Sequence, residues 1–214
     1  MVGASGANIN VLAGQGAVYV FRKAGDTWVE TQKLIASDGA MNDDFGVAIA
    51  LSGRTLVVGA DNANVNGHFS QGAAYVSTET NGSWTQTQKL TGDDGASFDH
   101  LGLALAVQGS TILVGAPSKN ILTGEVYGVF QVESLLESDP DSRLRMMAPP
   151  FDQFGASLAL DHATALIGAP SAIANGHASQ GAAYCLRQFR RHVNSNSKRL
   201  LRATAPTTTP LALP

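Results

Sequence analysis

The chain has 214 residues, a formal net charge of −3 at pH 7, 44% hydrophobic residues and a single cysteine. The weak negative charge removes the electrostatic case for a nucleic-acid partner, no apolar run reaches the ~20 residues of a membrane helix, and one thiol excludes an internal disulfide. A complement of 23 glycines and only 14% charged residues suits short strands joined by tight turns rather than long surface helices.

The chain opens inside a strand, Val2-Gly3-Ala4-Ser5, and continues to a Gly-x-x-Tyr strand from Gly16 to Tyr19, then Trp28 and Gln32-Lys33-Leu34. The next segment holds a full unit. After Phe45-Gly46 comes the apolar run Val47-Ala48-Ile49-Ala50-Leu51, the hairpin turn Ser52-Gly53-Arg54 and a returning β-branched strand, Thr55-Leu56-Val57-Val58. Gly59-Ala60 ends that strand with residues small enough for close backbone approach. A polar loop from Asp61 to Gln71 precedes a third strand, Ala73-Ala74-Tyr75-Val76. Asn81-Gly82 favours a type I′ hairpin, and Ser83 to Leu90, with Trp84, alternates as a fourth strand. The acidic loop Thr91 to His100 leads into the next unit.

The pattern returns as Leu101-Gly102 with Val114-Gly115-Ala116-Pro117, and again as Phe154-Gly155 with Ile167-Gly168-Ala169-Pro170. The Gly-x-x-Tyr strand returns at Gly72 to Tyr75, Gly124 to Tyr127 and Gly181 to Tyr184. A repeat of about 55 residues means a propeller or solenoid, and four antiparallel strands per repeat favour the propeller over a β-helix. The expected fold is therefore all-β: an incomplete arc of two full and two partial propeller blades, at about 2–34, 45–90, 101–144 and 154–185. The third unit is regular only as far as Phe130, and Gln131 to Pro150 reads as irregular.

These residues resemble the FG-GAP repeat family, the blades of integrin-α-type β-propellers, and are most similar to its bacterial variety. Phe45-Gly46, Gly59-Ala60, Gly72-Ala73-Ala74-Tyr75-Val76, Trp84 and Gln88-Lys89-Leu90 fill the motif positions. Gly16-Ala17-Val18-Tyr19-Val20, Trp28 and Gln32-Lys33-Leu34 do so in the first unit, and the resemblance runs from residue 2 to about 185. It implies an extracellular or cell-surface propeller that recognises something, within a larger protein supplying the remaining blades. Integrin-type blades often carry an Asp-x-Asp-x-Asp-Gly calcium loop between Phe-Gly and Gly-Ala-Pro. Here that interval holds only Ser52-Gly53-Arg54, Gln108-Gly109-Ser110 and Asp161-His162-Ala163. Three residues cannot supply six to eight oxygen ligands, so the family's calcium site is not carried over and no cofactor is expected.

Candidate sites lie in the loops. Asn62 to Gly67 keeps the alternation of a calcium loop with neutral amides, and an Asn-rich turn explains it as well. Asn64, Asn66 and His68, with their repeat equivalents Asn175 and His177, are the candidate ligand-binding positions. The two histidines stand two blades apart, which favours a repeated loop shape over a shared metal. Asp38, Asp43 and Asp44, and Asp93, Asp94 and Asp99, are candidate cation ligands beside two Phe-Gly positions; turn-forming acids are the plainer reading. The Tyr positions and Trp28 and Trp84 read as packing between blades and on fourth strands, with sugar stacking by an exposed aromatic as the functional alternative. Catalytic signatures are absent: Gly3-Ala4-Ser5-Gly6 is not a nucleophile elbow, and no His-Glu-x-x-His, phosphate loop or Cys pair occurs.

After Tyr184 the blade pattern stops. Cys185 to His192, read one base onward, is compatible with the expected strand and turn, so a frameshift at about residue 185 is one reading of the tail. The segment 186–214, with Arg187, Arg190, Arg191, Lys198, Arg199 and Arg202, then Thr and Pro, reads as non-repeat and disordered or loosely helical. No basic and apolar leader follows Met1, which leaves a cytoplasmic protein or a fragment edge. The function expected is a non-enzymatic binding or adhesion scaffold, secreted or surface-borne, with a protein or carbohydrate partner, no nucleic acid and no membrane span. The alternatives are the propeller module of an extracellular hydrolase with catalysis elsewhere, and a non-functional gene fragment. An open arc is expected to expose apolar blade faces and to associate.

Overall fold

A computed structural model describes residues 1–130, 143–147, 149–162, 164–174 and 177–187. They form four antiparallel meanders in chain order, the blades. Blade 1 has β1 (Val2–Ala4), β2 (Ala17–Ala24) and β3 (Thr27–Leu34). Blade 2 has β4 (Ile49–Ser52), β5 (Thr55–Ala60), β6 (Ala73–Thr80) and β7 (Ser83–Leu90). Blade 3 has β8 (Ala104–Gln108), β9 (Thr111–Ala116), β10 (Glu125–Phe130) and β11 (Arg143–Met147). Blade 4 has β12 (Ser157–Asp161), β13 (Thr164–Ala169) and β14 (Ala182–Arg187). Among the described residues no helix is long and apolar enough to cross a membrane.

Two expectations need correction. Arg143–Met147, placed in an irregular stretch, is the fourth strand of blade 3 and pairs with β10, Tyr127 opposite Arg145. The charge and proline of the surrounding stretch, 131–150, hid it. Cys185 to Arg187, judged to have no place in a blade, continues β14, with Leu166 opposite Cys185 and Thr164 opposite Arg187. The rest of the tail, and 131–142, lie outside the described residues.

The hairpins follow their turn residues. Asn81 and Gly82 both take positive φ, 51° and 86°, as a type I′ turn requires. The β4–β5 and β8–β9 connections are two-residue turns closed by the pairs Ser52–Thr55 and Gln108–Thr111. The calcium interval of the family is thus fully spent on chain reversal.

In blades 2 and 3 the second and third strands are buried on both faces, which is why they read as continuous apolar runs. Alternate residues face opposite neighbours. Leu56, Val58, Tyr75 and Trp84 pack with Val18 and Val20 of blade 1. Val57, Ala74 and Val76 pack with Leu101, Ile112, Val114 and Tyr127 of blade 3. Leu113 and Val126 then meet Phe154, Ile167 and Tyr184 of blade 4. Phe45 and Phe154 set their rings edge-on to Tyr75 and Tyr184, with centroids 5.5 and 5.2 Å apart.

The repeated glycines serve these junctions. A Cβ on Gly59 would land on the carbonyl oxygen of Gly102, and one on Gly115 on that of Gly155. Gly72 pairs as a parallel bridge with Leu101, and Gly124 with Phe154. The Gly of each Gly-Ala pair and the Gly of the next Phe-Gly pair are therefore two halves of one backbone contact between blades. The outer strands add a polar clamp: the Gln32 side chain accepts from Trp84 N at 2.8 Å and donates to Trp84 O at 2.7 Å.

Candidate ligand-binding face

Meander topology puts the loops between second and third strands at the same end as the loops linking one blade to the next. Backbone hydrogen bonds tie them there: Asn42 N to Ala13 O (2.9 Å), Phe98 N to Phe69 O (2.8 Å) and Gln153 N to Leu122 O (2.8 Å). The short hairpin turns occupy the opposite end.

The Asn-rich loop is a built turn. Val65 and His68 bridge as a miniature hairpin over Asn66 and Gly67, both at positive φ, and Asn64 Oδ1 accepts Ser70 N at 2.9 Å. The same shape recurs over Ile9 and Leu12, and at Ala174 and His177. Asn64, Asn66, His68 and His177 are exposed, while Asn175 lies outside the described residues. The structure brings Asn64 and Asn66 together with Asp38: with Val65, Lys89 and Thr91 they bound an open depression of about 400 Å³. His68 and His177 are not part of its lining.

The acids form two lead-in turns of like design. Asp38 receives the Tyr75 hydroxyl at 3.0 Å and Lys89 Nζ at 2.6 Å. Burial alone would raise its pKa, but the bonds from Lys89 and Tyr75 hold it below the ordinary carboxyl value. Asp43 Oδ2 accepts Ala40 N at 2.7 Å, and its burial pushes its pKa up. Asp44 accepts from Asn62 Nδ2 at 2.7 Å. In the second turn Asp94 receives the Tyr127 hydroxyl at 3.2 Å, Asp99 Oδ2 accepts Ala96 N at 2.8 Å, and Asp93 is exposed beside them. Blade 4 repeats the grip, with Tyr184 donating to Asp152 at 3.1 Å. Burial and the adjacent carboxylate push the Tyr184 pKa up to about 12. Among the described residues no three acids, histidines or cysteines stand where they could hold one metal ion.

Three features escaped the sequence reading. Lys119 is buried and reaches Asp99 at 3.0 Å and Asp94 at 3.2 Å, locking the second turn from the loop of blade 3. The signal was that loop's length: seven residues lie between Ala116 and Gly124, against eleven between Ala60 and Gly72. Asp61 and His100 pair at 3.4 Å across the junction of blades 2 and 3, and burial raises the Asp61 pKa although His100 opposes it. Finally, bulky apolar residues hold left-handed backbone at this end: Phe98 and Phe151 at φ 68°, Ile121 at 56° and Leu122 at 63°. Left-handed backbone costs about 1–2 kcal/mol per residue for L-residues other than glycine, and somewhat less for Asn or Asp. These side chains are nonetheless exposed, Phe98 by 61%, Phe151 by 62% and Ile121 by 79%. Trp28, expected to pack between blades, is exposed as well, because it faces away from blade 2.

Among curated proteins none matches the chain. The FG-GAP repeat matches at 28–77, 84–130 and 148–186, well over half of the chain. Each match starts near an outer strand and runs through the first three strands of the following blade, so the matched unit contains the junction described above. With the Phe-Gly and Gly-Ala contacts and the four meanders in place, the chain belongs to the FG-GAP repeat family.

Proposed function

We propose that this chain is a non-catalytic recognition scaffold, of a secreted or surface protein, that binds a protein or carbohydrate ligand on its loop end. The observation that carries the reading is the set of exposed apolar side chains on left-handed backbone, Phe98, Ile121, Leu122 and Phe151. Strained, solvent-facing residues on loops held by a rigid scaffold are characteristic of binding surfaces. The polar depression formed by Asp38, Asn64, Asn66, Lys89 and Thr91 supplies amides and charges at the same loop end. FG-GAP propellers are typical of extracellular proteins, which supports export and an external ligand.

Asn42 occupies the position of Phe98 in the preceding turn at φ 62° and provides the test, because Asn tolerates this backbone. The double variant Phe98→Asn, Phe151→Asn should unfold at higher urea, by up to about 1 kcal/mol per site. It should also lose about tenfold or more in affinity for ligands selected from a printed glycan array and a random-peptide phage library. A variant that gains stability and keeps every selected ligand sinks the proposal.

A further inference from the structure

We propose that the turn leading into blade 2 is a binding site for a monovalent cation of potassium or ammonium size, held by Asp43 and by the carboxylate and backbone carbonyl of Asp38. The site is independent of any ligand on the loop end.

Two turns of the chain match bond for bond. Gly39 N donates to Ala36 O, and Gly95 N to Gly92 O, both at 3.2 Å. Ala40 N reaches Asp43 Oδ2 at 2.7 Å, and Ala96 N reaches Asp99 Oδ2 at 2.8 Å. The Tyr75 and Tyr127 hydroxyls donate to Oδ1 of Asp38 and Asp94, at 3.0 and 3.2 Å. Asp43 and Asp99 are both buried.

In the second turn this frame closes on a cation. The Lys119 ammonium lies 2.9 Å from Asp94 O, 3.2 Å from Asp94 Oδ1 and 3.0 Å from Asp99 Oδ2. The residue in the same place in blade 2 is Ala63. Lys119 O accepts Gly124 N, and Ala63 O accepts Gly72 N, each at 3.0 Å, which fixes the equivalence. A buried methyl group therefore stands where the lysine stem would begin. Among the described residues Lys89 pairs with Asp38 Oδ2 at 2.6 Å, and no cationic group pairs with Asp43. A buried carboxylate is costly to leave without a partner charge.

Gln15 adds a further acceptor. It is 3% exposed, packs its amide against Gly39 and leaves Oε1 without a hydrogen-bond partner. Gln71 repeats this beside Gly95, with Oε1 unpartnered there too. An ammonium has three donors, matched by the three oxygens of the second turn, whereas an ion accepts more oxygens than three. Contacts near 3 Å suit potassium, which is about the size of ammonium; calcium holds six to eight oxygens at about 2.3–2.6 Å. The charge fits as well. Lys89 answers Asp38 and leaves Asp43 as the buried charge to balance, and blade 2 has Ala73 where blade 3 buries a further acid, Glu125. Asp38 lines the open depression with Asn64 and Lys89, which gives the ion its way in.

Hydrogen exchange of the full chain, read by mass spectrometry, tests the site in potassium chloride against tetramethylammonium chloride at equal ionic strength. Exchange across 38–44 should slow about tenfold in about 0.3 M potassium, while 94–99, which Lys119 already locks, stays unchanged. Ala63→Lys should protect 38–44 to a similar degree without potassium and end the response, because its ammonium takes the place of the ion. Asp43→Asn can still accept Ala40 N, so it should keep the fold and lose the response. Equal exchange of 38–44 in the two salts overturns the proposal. An equal potassium effect at 94–99 would be a general salt effect, and one that survives in Asp43→Asn would put the ion elsewhere; either result sinks it. Protection by micromolar calcium in place of potassium would overturn the monovalent assignment.

Discussion

Blade 2 and blade 4 carry nearly the same residues in the same register, and what separates them is the neighbour. Thr55–Ala60 and Thr164–Ala169 both pair with a Gly-x-x-Tyr strand, and both blades set a Phe ring edge-on to that Tyr. Yet Val57 is fully buried while its equivalent Leu166 is 47% exposed. The repeated motif therefore encodes a junction more than a blade: its glycines and apolar alternation have their physical meaning only where a following Phe-Gly turn is present.

The sharpest way to break this comparison is to add one methyl group at equivalent glycines. Gly59→Ala places a Cβ on the Gly102 carbonyl oxygen, a backbone atom that can yield only if blades 2 and 3 separate. The expected cost is about 3 kcal/mol, at the upper end for overpacking. Gly168→Ala meets the Ser157 hydroxyl, which can rotate away. That change should lie within about 0.5 kcal/mol of neutral, helped by the lower entropy of the unfolded chain. Urea unfolding of both variants decides it, and equal losses would mean that the glycines act within their own sheet.

Truncating the paired apolar residues sharpens the same contrast at smaller magnitude. Val57→Ala removes two buried methyl groups and should cost about 2 kcal/mol. Leu166→Ala removes more hydrocarbon from a half-exposed site, yet should cost less than about 1 kcal/mol in dilute solution. A loss as large as that of Val57→Ala would place Leu166 in a core that the fold does not show.

The same distinction explains what the sequence disclosed. Strand order, hairpins and the apolar runs of β5 and β6 were legible because every blade repeats them under the same turn chemistry. Arg143–Met147 was not, since it is a short strand inside a stretch rich in charge and proline, and its partner β10 lies across a long intervening segment. Nor was Cys185 to Arg187, because strand pairing tolerates residues that a motif would not contain. Among the candidate residues, Asn66 was singled out by its repetition at Asn175 and Asn64 by the calcium-like alternation of its loop, while buried Lys119 had no counterpart in other blades. The left-handed phenylalanines were invisible because nothing in their chemistry favours that backbone; in that conformation Phe98 N is bonded to Phe69 O.

The smallest contrast is electrostatic and concerns sign. Asp38 and Asp152 each accept a tyrosine hydroxyl, but only Asp38 also receives an ammonium group, Lys89 from β7. The Asp38 pKa is therefore held below its ordinary 3.8, and that of Asp152 is raised by burial, which the Tyr184 bond only partly offsets. A depressed folded value means that Asp38 contributes stability above the ordinary carboxyl range and loses it as pH falls through the folded value. A raised value means that folding binds a proton at Asp152, so stability declines as pH climbs from 3.8 through the folded value and is level beyond it. Asp38→Asn should accordingly destabilise at neutral pH and become harmless in acid. Asp152→Asn should stabilise at neutral pH, and that gain should vanish in acid. Both effects are expected below about 1 kcal/mol, because Asp38 is half-exposed and Asp152 keeps its tyrosine partner as an amide. Urea midpoints measured for both variants at neutral pH and below the carboxyl range test the pair, and like signs at neutral pH would show that Lys89 does not set blade 2 apart.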